Sequence, residues 1–205
     1  MAKEIPKISR VGSYIKEKLF FSSSKAYWHN RYDAGGNSGE GSYGRLAEYK
    51  ATLINEFIAK HKVESAIEFG CGDGNQLSLF KVSTYIGLDI SPKAIVLCNK
   101  KFKSDRSKSF FLYDTEAFID NSKTFSADLA LSLDIIYHLV EDKIYLKYME
   151  HLFNSAKKYV LIYSFNKNEN KGFLTPHVKS REFISWVKEH KKDWELIETI
   201  HNKYA

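Results

Sequence analysis

The period of apolar residues changes repeatedly along this chain, and each change marks an element. Over 43–61, Leu46, Tyr49, Leu53, Ile54, Phe57 and Ile58 recur at three and four residues, the spacing of one buried helix face. Ser42 stands where the cap of that helix belongs. Short apolar runs of strand length follow at 65–69, 84–90, 109–113, 127–133, 159–165 and 194–200. Between them the spacing predicts helices at 75–80, 92–102, 142–154 and 180–190, the second opened by Ser91 as cap and Pro92 at the first helical position. Strands and helices in this alternation require parallel pairing with helices on both faces, so the expected class is α/β with a doubly wound, mostly parallel sheet. The polar run 166–172 reads as a loop.

Upstream, Tyr14, Ile15, Leu19 and Phe20 have helical spacing and predict a short amphipathic helix over 11–21 that docks on the domain. Residues 22–44 hold Gly35, Gly36, Gly39, Gly41 and Gly44 among Trp28, Arg31 and Tyr32, too many glycines for a regular element and too many aromatics for a disordered linker. A lid is expected there. The division is thus 1–44 as N-terminal helix and glycine-rich lid and 45–205 as the main body, within one globular unit overall.

Composition narrows the classes of function. A chain of 205 residues with 43% hydrophobic content supports a sizeable core. The net charge of +6 is spread as scattered lysines rather than a basic block, so nucleic acid is not expected as a partner. Cys71 and Cys98 are too few for a disulfide framework or a zinc cluster, and no metal is expected. The N-terminus lacks the apolar core of a signal peptide and no apolar run approaches about 18 residues, so the expectation is a cytoplasmic protein without a membrane span.

Candidate chemistry concentrates at Ile67-Glu68-Phe69-Gly70-Cys71-Gly72-Asp73-Gly74, a strand running into a glycine turn. Glycines there let the backbone turn sharply and approach a ligand closely. A nicotinamide fingerprint asks for glycine where Asn75 stands, and a phosphate-binding loop asks for Lys and Ser or Thr where Asn75-Gln76 stand. Both readings lose ground. Glu68 ahead of Gly70, Gly72 and Gly74 gives E-x-G-x-G-x-G, which resembles motif I of the class I S-adenosylmethionine-dependent methyltransferases, a Rossmann-like family.

That resemblance implies a donor site for S-adenosylmethionine. It assigns Glu68 to the donor's amino-acid end, Asp89 at the end of the second strand to the ribose hydroxyls, Ile90 to the adenine face and Asp114 to the adenine amine. Asp134, Tyr137 and His138, after the fourth strand, fall on the methyl-acceptor side, with His138 as the base for an acceptor that stays protonated. Arg31 is a candidate for the donor carboxylate, Tyr32 for covering the acceptor, and His177 and Arg181 for gripping an anionic group. Neither the Pro-Pro-aromatic nor the Pro-Cys signature of nucleic-acid methyltransferases is formed by Pro6, Pro92 or Pro176.

Residues 28–44 followed by IEFGCGDGNQL look like a bacterial subgroup associated with surface-polysaccharide clusters, some of whose relatives are tied to O-methyl phosphoramidate decoration of capsules. The implied acceptor is a small molecule, sugar or phosphoramidate. A donor-binding module without turnover and a nucleic-acid methyltransferase are the alternatives. The family's sheet closes with a hairpin for which little chain remains, so an open edge and either a monomer or a homodimer are expected.

Overall fold

The computed structural model describes residues 21–168 and 175–204. The helix expected over 11–21 falls almost wholly outside them. In chain order the elements are α1 (Ser24–Asp33), α2 (Gly44–His61), β1 (Ser65–Phe69), β2 (Thr84–Asp89), α3 (Pro92–Lys101), β3 (Lys108–Leu112), β4 (Ala127–Leu133), α4 (Asp142–Asn154), β5 (Ala156–Tyr163) and α5 (Phe183–His190). The five strands form one parallel sheet in the order β3-β2-β1-β4-β5.

Alternation along the central strands sends side chains to two cores. Ile67 and Phe69 of β1 join Tyr148, Met149 and Leu152 of α4 and Trp186 of α5 on one face. Ala66 of β1 and Leu129, Leu131 and Leu133 of β4 join Ile54 and Ile58 of α2 and Cys98 of α3 on the other. The sheet is therefore doubly wound, as the alternation of elements required. Chain order reverses between β1 and β4, which places a crevice at their carboxyl ends.

Several boundaries differ from expectation, each for a local reason. The stretch 22–44 is not wholly irregular: Ser23 caps α1 by accepting the Ala26 amide proton, and the glycines begin only after the helix ends. Ser42 does not cap α2. It closes a 3-10 turn at Glu40–Ser42, which leaves Tyr43 at the cap position with its hydroxyl on Asp73. The helix expected over 75–80 shrinks to a 3-10 turn, Leu77–Leu79, because Phe80 is already extended and one turn is all the segment holds. The strand expected over 194–200 does not form. Leu196, Ile197 and Ile200 stay exposed, and the segment is tied to the body by side chains, Trp194 against Phe153 at its start, and past its end by Asn202, which donates to the Tyr163 hydroxyl, and Tyr49, which donates to the His201 carbonyl. Apolar alternation without a ladder partner makes no strand. No helix among the described residues is long and apolar enough to cross a membrane.

Candidate active site

At the crevice the chain turns through Gly70, Gly72 and Gly74, all with φ in the left-handed region at 92°, 58° and 72°. Glycine at Gly70 and Gly72 is also a matter of space. A Cβ on Gly70 would lie 2.3 Å from Ile135 Cδ1, and one on Gly72 would lie 2.2 Å from Ser38 Oγ. The Gly72 amide donates to Asp89 Oδ2 at 2.8 Å and the Ser91 amide to Asp89 Oδ1 at 2.8 Å, so the end of β2 holds the turn in place.

Beside the turn lies a cavity of about 680 Å³ bounded by the carboxyl ends of β1, β2 and β4 and by α1. It brings together most of the residues singled out from the sequence: Arg31, Tyr32, Glu68, Gly70, Gly72, Asp89, Ile90, Asp114, Asp134, Tyr137, His138 and His177 all border it. Gly74 does not, because it packs against Phe102 and Cys98 of the α3 segment. Arg181 does not either. Only 9% exposed, it pairs with Asp142 and donates to the carbonyls of Leu139 and Val140, with its guanidinium 4.5 Å over the Tyr145 ring. Its two terminal nitrogens are committed to those partners and its Nε is buried, so the guanidinium does not face the cavity.

The carboxylates occupy three different environments. Glu68 is 2% exposed and accepts from the Tyr85 hydroxyl at 2.5 Å. Burial lifts its pKa to about 7, with Tyr85 and Lys50 opposing and Asp89 adding to the rise. Burial likewise lifts Asp89 to about 6 despite its two backbone donors. Asp114 is half-exposed and paired with Lys25 of α1 at 2.7 Å, which holds its pKa below the ordinary carboxylate value.

On the acceptor side, Asp134 follows β4 with φ +60° and accepts from Lys50 Nζ at 2.5 Å and from the Tyr137 hydroxyl at 3.1 Å. His138 is partly buried, and desolvation drives its pKa down to about 4, so the ring is neutral at pH 7. Its Nδ1 lies 3.1 Å from the His177 carbonyl oxygen, which only accepts. The proton therefore sits on Nδ1 and Nε2 is the bare nitrogen.

Spacing did not reveal how α1 and the following loop dock. Ser24 bonds Glu141 and the His138 carbonyl, and His29 Nε2 meets the Ile90 carbonyl oxygen at 2.7 Å. Arg31 is held by Asn37, while the Tyr32 hydroxyl meets Ser38 Oγ at 2.8 Å. The Ser38 amide and the Tyr43 hydroxyl then donate to Asp73 Oδ2 in the glycine turn. One polar atom at the cavity is left over: the buried Oε1 of Gln76 has no partner, although its Nε2 donates to the Ala47 carbonyl at 3.0 Å. An orphan acceptor beside buried carboxylates suits a ligand that is cationic and rich in hydrogen-bond donors, as S-adenosylmethionine is.

Residues 67–159 match the family described as Methyltransferase domain. No curated protein matches the sequence. Among solved structures, the methyltransferase domain of bacterial CtHen1 is 21% identical, covers 73% of this chain and 85% of its own, and superposes with a TM-score of 0.56. Magnesium protoporphyrin IX methyltransferase from Synechocystis PCC 6803, solved with bound S-adenosylmethionine, is 13% identical over 70% of this chain and 76% of its own, with a TM-score of 0.52. An O-methyltransferase family protein from Burkholderia thailandensis is 14% identical, covers 91% of this chain and 61% of its own, and gives a TM-score of 0.62. The sheet order, the glycine turn and these likenesses agree: residues 67–159 match a methyltransferase domain, and the chain has the Rossmann-like fold of these methyltransferases.

Proposed function

We propose that this S-adenosylmethionine-dependent methyltransferase domain O-methylates a small molecule or glycan precursor, at a sugar hydroxyl or a phosphoramidate oxygen. The observation that supports an oxygen acceptor is the state of His138, a neutral imidazole whose Nδ1 is engaged and whose Nε2 is bare, beside Tyr137 and Asp134 on the cavity wall. A hydroxyl keeps its proton at pH 7 and needs a base as its oxygen becomes nucleophilic. An amine that titrates near neutrality arrives with its lone pair free.

Bound S-adenosylmethionine supplies an electrophilic methyl group on a sulfonium. Asp89 would take its ribose hydroxyls, since each carboxylate oxygen keeps a lone pair after accepting one backbone N–H. Glu68 and Gln76 Oε1 would face the amino-acid end, Ile90 the adenine ring, Asp114 the adenine amine and Arg31 the carboxylate. The backbone at Gly70 and Gly72 gives the approach these contacts need. On the other side Tyr32 and His177 border the acceptor, and His138 Nε2 accepts the proton that leaves its hydroxyl. Holding the nucleophile in line with the methyl group is worth effective molarities of about 10⁵ to 10⁸ M in favourable cases.

Residues 22–44 act in this reading as a lid. The loop after α1 docks on the glycine turn through Ser38 and Asp73, and Gly35 and Gly39, with φ of 81° and 88°, are its pivots. In this reading the enzyme works in the cytoplasm, as a monomer or homodimer.

The test is methyl transfer from tritiated S-adenosylmethionine to UDP-glucose, simple glycosides and phosphoramidate, with the full chain. Label is expected on an oxygen acceptor. Replacing the base, His138→Gln, should cut that rate by about 10² to 10⁴ while S-adenosylhomocysteine still binds. An undiminished rate in the variant would remove His138 from the reaction.

A further inference from the structure

Lys50 is a lysine in the wrong place for a lysine. It lies on the buried stripe of α2 between Ala47, Ala51 and Ile54, is 1% exposed, and does not itself border the cavity. Its Nζ donates to Asp134 Oδ2 at 2.5 Å and stands 5.0 Å over the Tyr163 ring. Burying an ion pair brings little net stability, and packed apolar residues of similar volume often do better. The pair is also tightly enclosed: a Cβ at Gly41 would lie 2.7 Å from Asp134 Oδ2 and 3.7 Å from Lys50 Nζ.

The consequence lies one bond further on. With one oxygen of Asp134 held by Lys50, the other accepts the Tyr137 hydroxyl proton at 3.1 Å. A carboxylate accepts only, so the phenol must donate to it, and the Tyr137 oxygen has only lone pairs left for anything in the cavity. Next to it, His138 has spent its one N–H on the His177 carbonyl. Both polar groups on this wall are therefore acceptors. Across the whole cavity lining, moreover, carboxylates outnumber cations, Lys25 is paired with Asp114, and Lys143 with Glu116.

Building on the O-methylation reading, we propose that Lys50 is a specificity-determining positioning residue: through Asp134 and Tyr137 it sets an acceptor-only wall that selects neutral hydroxyl donors over anionic oxygens. Among the acceptors considered, that favours a sugar or other neutral hydroxyl over a phosphoramidate oxygen. A site built to receive an O–H opposes an anionic oxygen at the same point, because its own lone pairs would face another lone pair. In the reaction the acceptor's O–H gives its proton to His138 Nε2, the oxygen forms the bond to the methyl carbon, and the carbon–sulfur bond breaks with its electron pair remaining on sulfur.

Asp134→Asn reverses the polarity while keeping the shape. Lys50 must still meet the amide oxygen, so the amide N–H₂ faces Tyr137 and turns the phenolic proton toward the cavity. The experiment measures binding of methyl α-D-glucopyranoside and of phosphoramidate to the full chain, with and without saturating S-adenosylhomocysteine, in the native protein, Asp134→Asn and Lys50→Met. The native protein should prefer the glucoside by tenfold or more; Asp134→Asn should lose that preference by about tenfold, the effect of one mispaired hydrogen bond, and Lys50→Met, which releases the carboxylate from the pose that meets Tyr137, should lose part of it. Affinity for S-adenosylhomocysteine should change less than threefold. Lys50→Arg, which keeps a donor to Asp134, should restore part of the preference, whereas a merely structural lysine would show no such split. A native preference for phosphoramidate, or an unchanged ratio in folded Asp134→Asn, overturns the proposal. Failure to bind S-adenosylhomocysteine would instead overturn the donor site, and the ratio measured without it would still judge the wall.

Discussion

Glu68 shows what the fold does to a single residue. The strand-to-turn pattern places a carboxylate at the crevice, but its burial and the Tyr85 hydroxyl come from β2 packing, which spacing along the chain does not encode. Its folded pKa of about 7 lies above the ordinary 4.5, so between those values the folded state keeps a proton that the unfolded chain has released. Stability from this group is full below pH 4.5 and is lost as pH rises to 7, a change on the order of 3 kcal/mol. Glu68→Gln removes the titration. Urea unfolding at pH 5 and pH 8 should therefore show the variant gaining on the native protein by that order as pH rises; parallel pH dependence in the two proteins would contradict the burial argument. Asp89, Gly70 and Gly72 were equally legible, because a strand end and a left-handed turn impose their chemistry locally. Lys50 was legible in principle, as the one cation on an apolar stripe. Ser38 and Gln76 carry no such sign, since each matters only once the loop after α1 has docked.

At the scale of elements, propensity and period located β1, β4 and α4 to the residue, because their apolar positions face cores built by neighbours in the sheet. Where an element depends on a partner, pattern misled. The alternating stretch 194–200 has no ladder, and the aromatic, glycine-flanked stretch around Trp28 is a helix because Ser23 caps it and Glu141 anchors its first residue. Arg181 stands away from the cavity for a similar reason. Its charge just before α5 suggested an anion site, whereas its donors tie α5 to the start of α4 and the carbonyls of Leu139 and Val140. Arg181→Ala leaves those carbonyls unpaired and should cost about 2 to 4 kcal/mol in a thermal or urea melt. Below the melting transition, affinity for S-adenosylhomocysteine should be unchanged; a selective loss of ligand binding without destabilisation would restore Arg181 to the site.

For the whole molecule, alternation of strand and helix already determined the parallel sheet with two faces, since no other arrangement buries both sides of β1 and β4. What alternation leaves open is how the segment ahead of α2 closes on the sheet. In the structure α1 runs along the cavity from Lys25 on Asp114 to His29 on the Ile90 carbonyl, walling one side of the crevice at the strand ends to leave a volume of about 680 Å³. The central claim is that this volume is an S-adenosylmethionine site anchored on Asp89. Calorimetry of the full chain with S-adenosylhomocysteine tests it most directly: one site in the native protein, weakened at least tenfold in Asp89→Ala, and no heat with NAD. Binding of NAD with none of S-adenosylhomocysteine would contradict it.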